Sequence, residues 1–317
     1  MPVRRLLITF GCSWTYGVGV GYSQNMTEDQ HKAIAWNNSI CDQLSFRGLL
    51  SKKYELVNKN FAQGGSSNQR QFRLAKNFFT SDDFKKLQSE FDQIIVLWGI
   101  TSTARNELYF NRHDRYENFF YSSDTTEAKL MVKYFYNHEY EVDQLLTEIR
   151  FWDDYFKSKN IDNLWFDTFN HHEYLEISNV NDQFKIDYHR AAGPDWPSFD
   201  DYLIGNYDTS NQKIYNKILE IKNICLEQYK EPLFKHDKIK NLIFKDKNPR
   251  DLLSLLAIKN GKLDIDNNYH ISDWLIDSNR VEYLVDIGVL NPYSHHPTQQ
   301  GHIQISEMLS PYIESLI

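Results

Sequence analysis

Two short stretches near opposite ends of the chain carry residues that can do nucleophilic chemistry. In FGCSWTYGVGV (10–20) the hydroxyl of Ser13 comes just behind the apolar run RRLLITF. In NPYSHHPTQQGH (291–302) His296 stands immediately before a Pro-Thr turn. A serine hydroxyl is a weak nucleophile until a neighbouring base takes its proton, and imidazole is the side chain best suited to that task. If the last loop closes over the first turn, Ser13 attacks a carbonyl and His296 is its base. The adjacent His295 and His296 also admit a metal reading. Consecutive side chains diverge, however, and no HxxxH, HExxH or cysteine partner accompanies them, so no metal is expected.

The glycines around Ser13 raise a rival, a phosphate-cradling loop. A dinucleotide fingerprint needs G-x-G-x-x-G, and Gly17, Gly19 and Gly21 have the wrong spacing. A P-loop needs Gly-Lys-Ser/Thr, and no lysine follows any of these glycines. Cys12 invites a thiol reading, but the alternation of the strand sends it into the core.

These residues need elements to hold them. Residues 4–10 read as a short buried strand, 54–61 as a second, QIIVLWG (93–99) as a central parallel strand and NLWFDTF (163–169) as a fourth. Helical spacing runs through 30–52, from the Gly-Gly turn to about 79, through 140–158 and through the last seventeen residues. Strand–helix alternation predicts an α/β domain with a parallel sheet and right-handed crossovers. Ser13 then sits at the carboxyl end of the first strand, where ligands collect in such sheets, with a helix N-terminus behind it to stabilise developing negative charge.

The order GCSWTYG, NFAQGGSSN, HHPTQQGH resembles the SGNH/GDSL hydrolase superfamily. The resemblance covers about 1–105, 160–172 and 286–317. It implies a flavodoxin-like three-layer sandwich, hydrolysis of esters (often acyl or acetyl groups on carbohydrates or lipids) and no cofactor. The first block maps onto Gly11-Cys12-Ser13, with cysteine where the family has aspartate. The oxyanion glycine of the second block maps onto Gly64 or Gly65, of which Gly65 is preferred, and the last block's histidine maps onto His296. Two positions depart from the pattern. Thr101 stands where the third block has an asparagine, leaving Thr101, Arg105 or Asn106 to supply an oxyanion donor. The aspartate that normally precedes the histidine is absent, and Asp286 is the nearest upstream carboxylate; otherwise a backbone carbonyl must orient the ring.

The expected domain is a core of 1–173 and 286–317 with a large insertion, 174–285, that covers one face. Within the insertion, 211–229 and 250–258 read as helices, and AAGPDWPSFDDY (191–202) as its tip. TSTARNELYFNRHDRYENFFY (101–121) is either a lid with sugar-stacking rings or core and dimer contact. FDTFNHHEY (166–174) places Asp167, His171, His172 and Glu173 near the same sheet edge, as substrate contacts, a metal clip or a plain polar loop.

Bulk properties narrow the partners. A net charge near −8 argues against nucleic acid, whose backbone requires clustered Lys and Arg; the most basic stretch, 235–250, reads as a solvated face. Three widely spaced cysteines suggest a reducing interior, and no segment reaches the length of a membrane span or of a signal-peptide core, so a cytoplasmic site is expected. The Asn/Lys/Tyr-rich composition fits an AT-rich viral or bacterial genome. The expected function is a serine esterase acting on an O-acylated carbohydrate or another small ester. A non-catalytic binding protein of the same fold and an acyltransferase are the alternatives, and oligomeric state is open.

Overall fold

The computed structural model describes residues 3–168 except 112, 122 and 124, then 180–192, 196–197, 211–228, 241, 243, 251–261 and 279–317. Four parallel strands form the central sheet: β1 (Arg5–Phe10), β2 (Leu56–Asn60), β3 (Gln93–Ile100) and β6 (Asp162–Asp167), in the order β2-β1-β3-β6. Between β3 and β6 the chain makes an antiparallel hairpin, β4 (Arg105–Phe110) and β5 (Arg115–Phe120). With the hairpin set aside, the sheet runs 2-1-3-4, the start of the flavodoxin-like order, whose switch point lies between β1 and β3. Asn241 and Ile243 extend the sheet beyond β6. Trp165 N–H donates to the Asn241 carbonyl, and Ile243 N–H donates to the Trp165 carbonyl.

β1, β3 and β6 bury both faces, while the edge strand β2 is partly exposed, and the period of two sorts the core into two layers. Leu7, Ile95 and Leu97 point to one side, against α4 (Phe46–Lys53), α11 (Leu252–Lys259) and α13 (Gln299–Glu314). Leu6, Ile8, Phe10, Val96 and Trp98 point to the other, against α5 (Asn68–Phe79), α6 (Asp82–Glu90) and α8 (His138–Ser158). Much of the aromatic content is spent on this second layer. Phe61, Phe10, Trp98 and Trp165 stack ring on ring across the sheet, with centroids 5.0, 4.5 and 4.7 Å apart.

The stretch read from the sequence as a single helical region, 30–52, is three helices: α2 (Glu28–Ile34), α3 (Asn38–Leu44) and α4. Asn37 breaks it by capping α3, its side chain accepting from Ile40 N–H, and Ser45 is the N-cap residue of α4. The 174–285 stretch contains α9 (Val180–Ala191), α10 (Gln212–Gln228), α11 and most of α12 (Asn279–Asp286). Leu252, Leu253, Leu255 and Leu256 of α11 share one core with β1 and α13. That helix is therefore built into the sandwich rather than laid over it. The proposed tip at 191–202 and the basic stretch 235–250 fall largely outside the described residues. Among the described residues no helix is long and apolar enough to cross a membrane.

Candidate active site

The chain leaves β1 at Gly11 and turns at once into a one-turn helix, α1 (Ser13–Tyr16), so Ser13 stands at the carboxyl edge of the sheet. Cys12, directly before it, is wholly buried in the core. A single helical turn cannot hold itself, because its last carbonyls lack partners. Arg47, buried on α4, supplies them: Nε donates to the Thr15 carbonyl at 3.2 Å and Nη2 to the Tyr16 carbonyl at 3.1 Å. Its Nη1 lies 2.7 Å from an Asp42 carboxylate oxygen, a charge contact too oblique for a hydrogen bond.

His296 arrives on the loop between α12 and α13. Asn291 organises that loop almost alone. Its N–H and Nδ2 donate to the His296 carbonyl at 2.9 and 3.1 Å, and its Oδ1 accepts from the N–H groups of Tyr293 and Ser294. Thr298 then ties the loop to the Gly288 carbonyl at 2.7 Å and caps α13. Gly19 lets the two loops close. Its φ is +97°, and a Cβ there would lie 2.8 Å from both Asn291 Nδ2 and the Pro297 carbonyl and 3.0 Å from His296 Cβ. Gly19 thus serves loop-to-loop approach, while Gly17 ends α1 in the left-handed region against Ser45.

The outcome is direct: His296 Nε2 and Ser13 Oγ are 2.6 Å apart. For Nε2 to accept from the hydroxyl, the ring proton must be on Nδ1. Nδ1 is buried and has no hydrogen-bond partner among the described residues. The Ser294 backbone lies close enough to favour the protonated ring, yet makes no bond of ordinary geometry to it. Burial, followed by the facing charge of Arg105, pushes His296 down to about 4.

Asp286 does not join this pair. It ends α12 with its side chain in solvent, where Leu284, Val289 and Leu290 take the buried positions, and it makes no hydrogen bond to His296. The sequence expectation of Asp286 as the acid is corrected accordingly. Asn106 is also engaged elsewhere: its Nδ2 donates to the Tyr121 hydroxyl at 3.0 Å and its Oδ1 accepts from Glu107 N–H.

Thr101, at the end of β3, is buried, and Arg105 Nη1 approaches its Oγ1 at 3.4 Å. Asn68, which the sequence reading passed over, fixes that residue. Its Oδ1 accepts from Thr101 N–H at 3.0 Å and its Nδ2 donates to the Thr101 carbonyl at 2.7 Å. Gly65 turns with φ +66°, and no acceptor is bonded to its N–H or to that of Ser13 among the described residues. A Cβ on Gly65 would lie 3.5 Å from Asn118 Nδ2 and 3.6 Å from the Phe120 ring, so the β4–β5 hairpin walls this turn. Arg105 lies over the same ring, 5.6 Å from its centre. The hairpin's other side is core: Phe119 and Tyr121 are buried with Val132 of α7 (Thr126–Tyr134). Asp167 closes β6 as a buried residue; His171, His172 and Glu173 lie outside the described residues.

No family model matches the sequence, and no curated protein matches it. Solved structures do resemble it. One is a protein described as lipolytic and of the G-D-S-L family from Desulfitobacterium hafniense, 11% identical, TM-score 0.35, covering 96% of this chain and 97% of that one. Another is an acetyl xylan esterase from the rumen bacterium Butyrivibrio proteoclasticus, 16% identical, TM-score 0.32, covering 54% of this chain and 49% of that one. A third is a carbohydrate esterase, 16% identical, TM-score 0.29, covering 68% and 65%. Likeness of this degree carries nothing about the chemistry, which rests on the geometry above.

Proposed function

We propose that this chain is a serine ester hydrolase of the SGNH type. The observation that carries the reading is the 2.6 Å approach of His296 Nε2 to Ser13 Oγ at the switch point of a parallel sheet. Ser13 Oγ adds to the ester carbonyl carbon while its proton passes to Nε2. The N–H groups of Ser13 and Gly65 face the resulting oxyanion, with Thr101 Oγ1 and Arg105 beside them. Collapse expels the alcohol, which takes the proton back from Nε2, and leaves an acyl-serine. Water, deprotonated by the same nitrogen, then releases the acid and restores Ser13. The substrate is an O-acyl group, an acetyl foremost, on a carbohydrate or other small molecule. The paired exposed rings of Tyr109 and Tyr116 on the hairpin offer faces for a sugar.

The bare Nδ1 of His296 favours a second reading, a binding protein that keeps the fold and has lost turnover. One comparison separates them: p-nitrophenyl acetate hydrolysis by the wild type and by Ser13→Ala, both shown folded by circular dichroism. The esterase reading expects the variant to lose about 10³-fold or more. Equal rates at the uncatalysed background support the binding protein.

A further inference from the structure

Away from Ser13, α5 and α8 lie side by side on the second face of the sheet, and between them runs a groove of about 760 Å³. That volume is in the range of small-molecule sites. Helical spacing dictates its walls: Phe72 and Phe79 face it from α5, and Leu145, Phe151, Trp152 and Tyr155 from α8. Phe72, Phe79, Leu145 and Trp152 are buried members of the core and make the floor. Phe151 is 59% exposed and Tyr140 58% exposed, so the rim presents aromatic faces to solvent. Rings of this density around a cleft suit an apolar body, and their faces also attract a cation.

One buried carboxylate in the groove makes no ion pair among the described residues. Glu141 is only 8% exposed and lines the cavity, and the one hydrogen bond of its side chain among the described residues is a long one, 3.4 Å, from Gln69 Nε2. Buried carboxylates are ordinarily paired with a cation. Of the cations nearby, Arg73 is bonded twice to Glu107, at 2.6 and 2.7 Å, and Lys76, which also lines the groove, makes no ion pair with Glu141 among the described residues. Tyr121 faces Glu141 from the end of the hairpin and carries no positive charge. Among the described residues no cation pairs with this carboxylate and Gln69 alone donates to it, and burial pushes it up to about 7.

We infer that the groove between α5 and α8 binds an organic ammonium ion, its apolar body held by the aromatic walls and its charged head by Glu141. Such a ligand supplies the positive charge that the fold withholds. A neutral ligand cannot, and an anion is repelled. The inference rests on Glu141 and the aromatic walls and not on the Ser13–His296 pair, although Asn68, which holds Thr101, lines the same groove.

The test uses three probes of nearly one shape: 2-phenylethylammonium, 2-phenylethanol and 3-phenylpropionate, titrated calorimetrically into the full chain. At pH 8 the ammonium binds at least about tenfold more tightly than the alcohol, and the carboxylate more weakly than either. Lowering the pH from 8 to 6 protonates Glu141 while the probe stays charged. The competent fraction falls, and ammonium affinity drops by about tenfold with the alcohol unchanged. Glu141→Gln keeps the volume and removes the preference for the ammonium. Phe151→Ala, on the solvent-facing rim and harmless to folding, weakens ammonium and alcohol together. Equal binding of ammonium and alcohol by the wild type overturns the inference. So does a preference that survives Glu141→Gln, or failure of all three probes to bind at millimolar concentration.

Discussion

The two halves of the candidate site are held by different means. The serine turn is fastened through its backbone from beneath, where Arg47 occupies carbonyls that a one-turn helix leaves bare. The histidine loop is fastened just as firmly through its backbone by Asn291 and Thr298. Its imidazole is another matter. Nε2 meets Ser13, while Nδ1 is buried without a partner among the described residues. A nucleophile requires only position; a base requires position, the right tautomer and help in bearing the charge it gains. This protein meets the first requirement on both sides and leaves the second half-met on one. On the proposed mechanism a rate below that of a complete triad is expected, since a misoriented tautomer costs about 10⁴ in the serine-protease case.

Short of removing Ser13 itself, the largest expected effect comes from spoiling position. Gly19→Ala puts a methyl 2.8 Å from Asn291 Nδ2 and the Pro297 carbonyl, at a φ of +97° that side chains rarely adopt. The loops must part, and separation of about 1 Å between Ser13 and His296 costs about 10²-fold in kcat. Stopped-flow hydrolysis on protein of verified fold checks this. Activity within a few-fold of wild type would show that the closure seen at Gly19 is not needed for chemistry, and the contrast drawn above would fail.

What the sequence could and could not announce follows the same division. β1, β3 and β6 are runs of largely apolar residues buried on both faces, and such runs are readable locally, as RLLITF and QIIVLWGI are. The pairing of Ser13 with His296 was legible because both sit in short motifs at strand and helix ends. Arg47, Asn68 and Asn291 were not, because each spends its side chain on backbone groups of another segment or its own loop. Backbone carbonyls and amides look alike in every sequence. Gly19 was seen but read against nucleotide-binding templates; its reason is clearance for a loop near the other end of the chain. Asp286 was chosen for nearness in sequence, and helix α12 turns it outward.

The second prediction concerns charge rather than position. Burial and the facing guanidinium of Arg105 hold His296 near 4, well below the ordinary 6.5. The neutral ring is the active form, so kcat/KM rises with pH through about 4 and is level from about 5 upward. Stability has the same sign. His296 and His302 are neutral when folded, with values of about 4 and 3, and the unfolded chain takes up protons near 6.5. Stability is therefore full above about 6.5 and is lost as pH falls toward those lower values. A kinetic inflection near 6.5 would mean that the ring is better solvated, or better partnered, than this geometry allows. Removing the nearby charge by Arg105→Gln moves the inflection upward, though by less than burial moves it down.

The smallest expected effect decides whether the base works alone. Asp286 is solvent-exposed at the end of α12 and has no bond to His296, so Asp286→Asn removes nothing that the ring uses. Its effect on kcat should stay within about twofold, the span of surface substitutions that break no contact. In a working triad the same change, aspartate to asparagine, turns the imidazole to the wrong tautomer and costs about 10⁴. The gap between those values makes a small expected effect an exacting test. A loss of hundreds-fold would require α12 to swing Asp286 onto Nδ1 when substrate binds. That would convert the half-met side of the site into a complete one. Retained activity leaves the Ser294 backbone as the nearest group able to steady the Nδ1 proton, and the site is then a serine–histidine dyad.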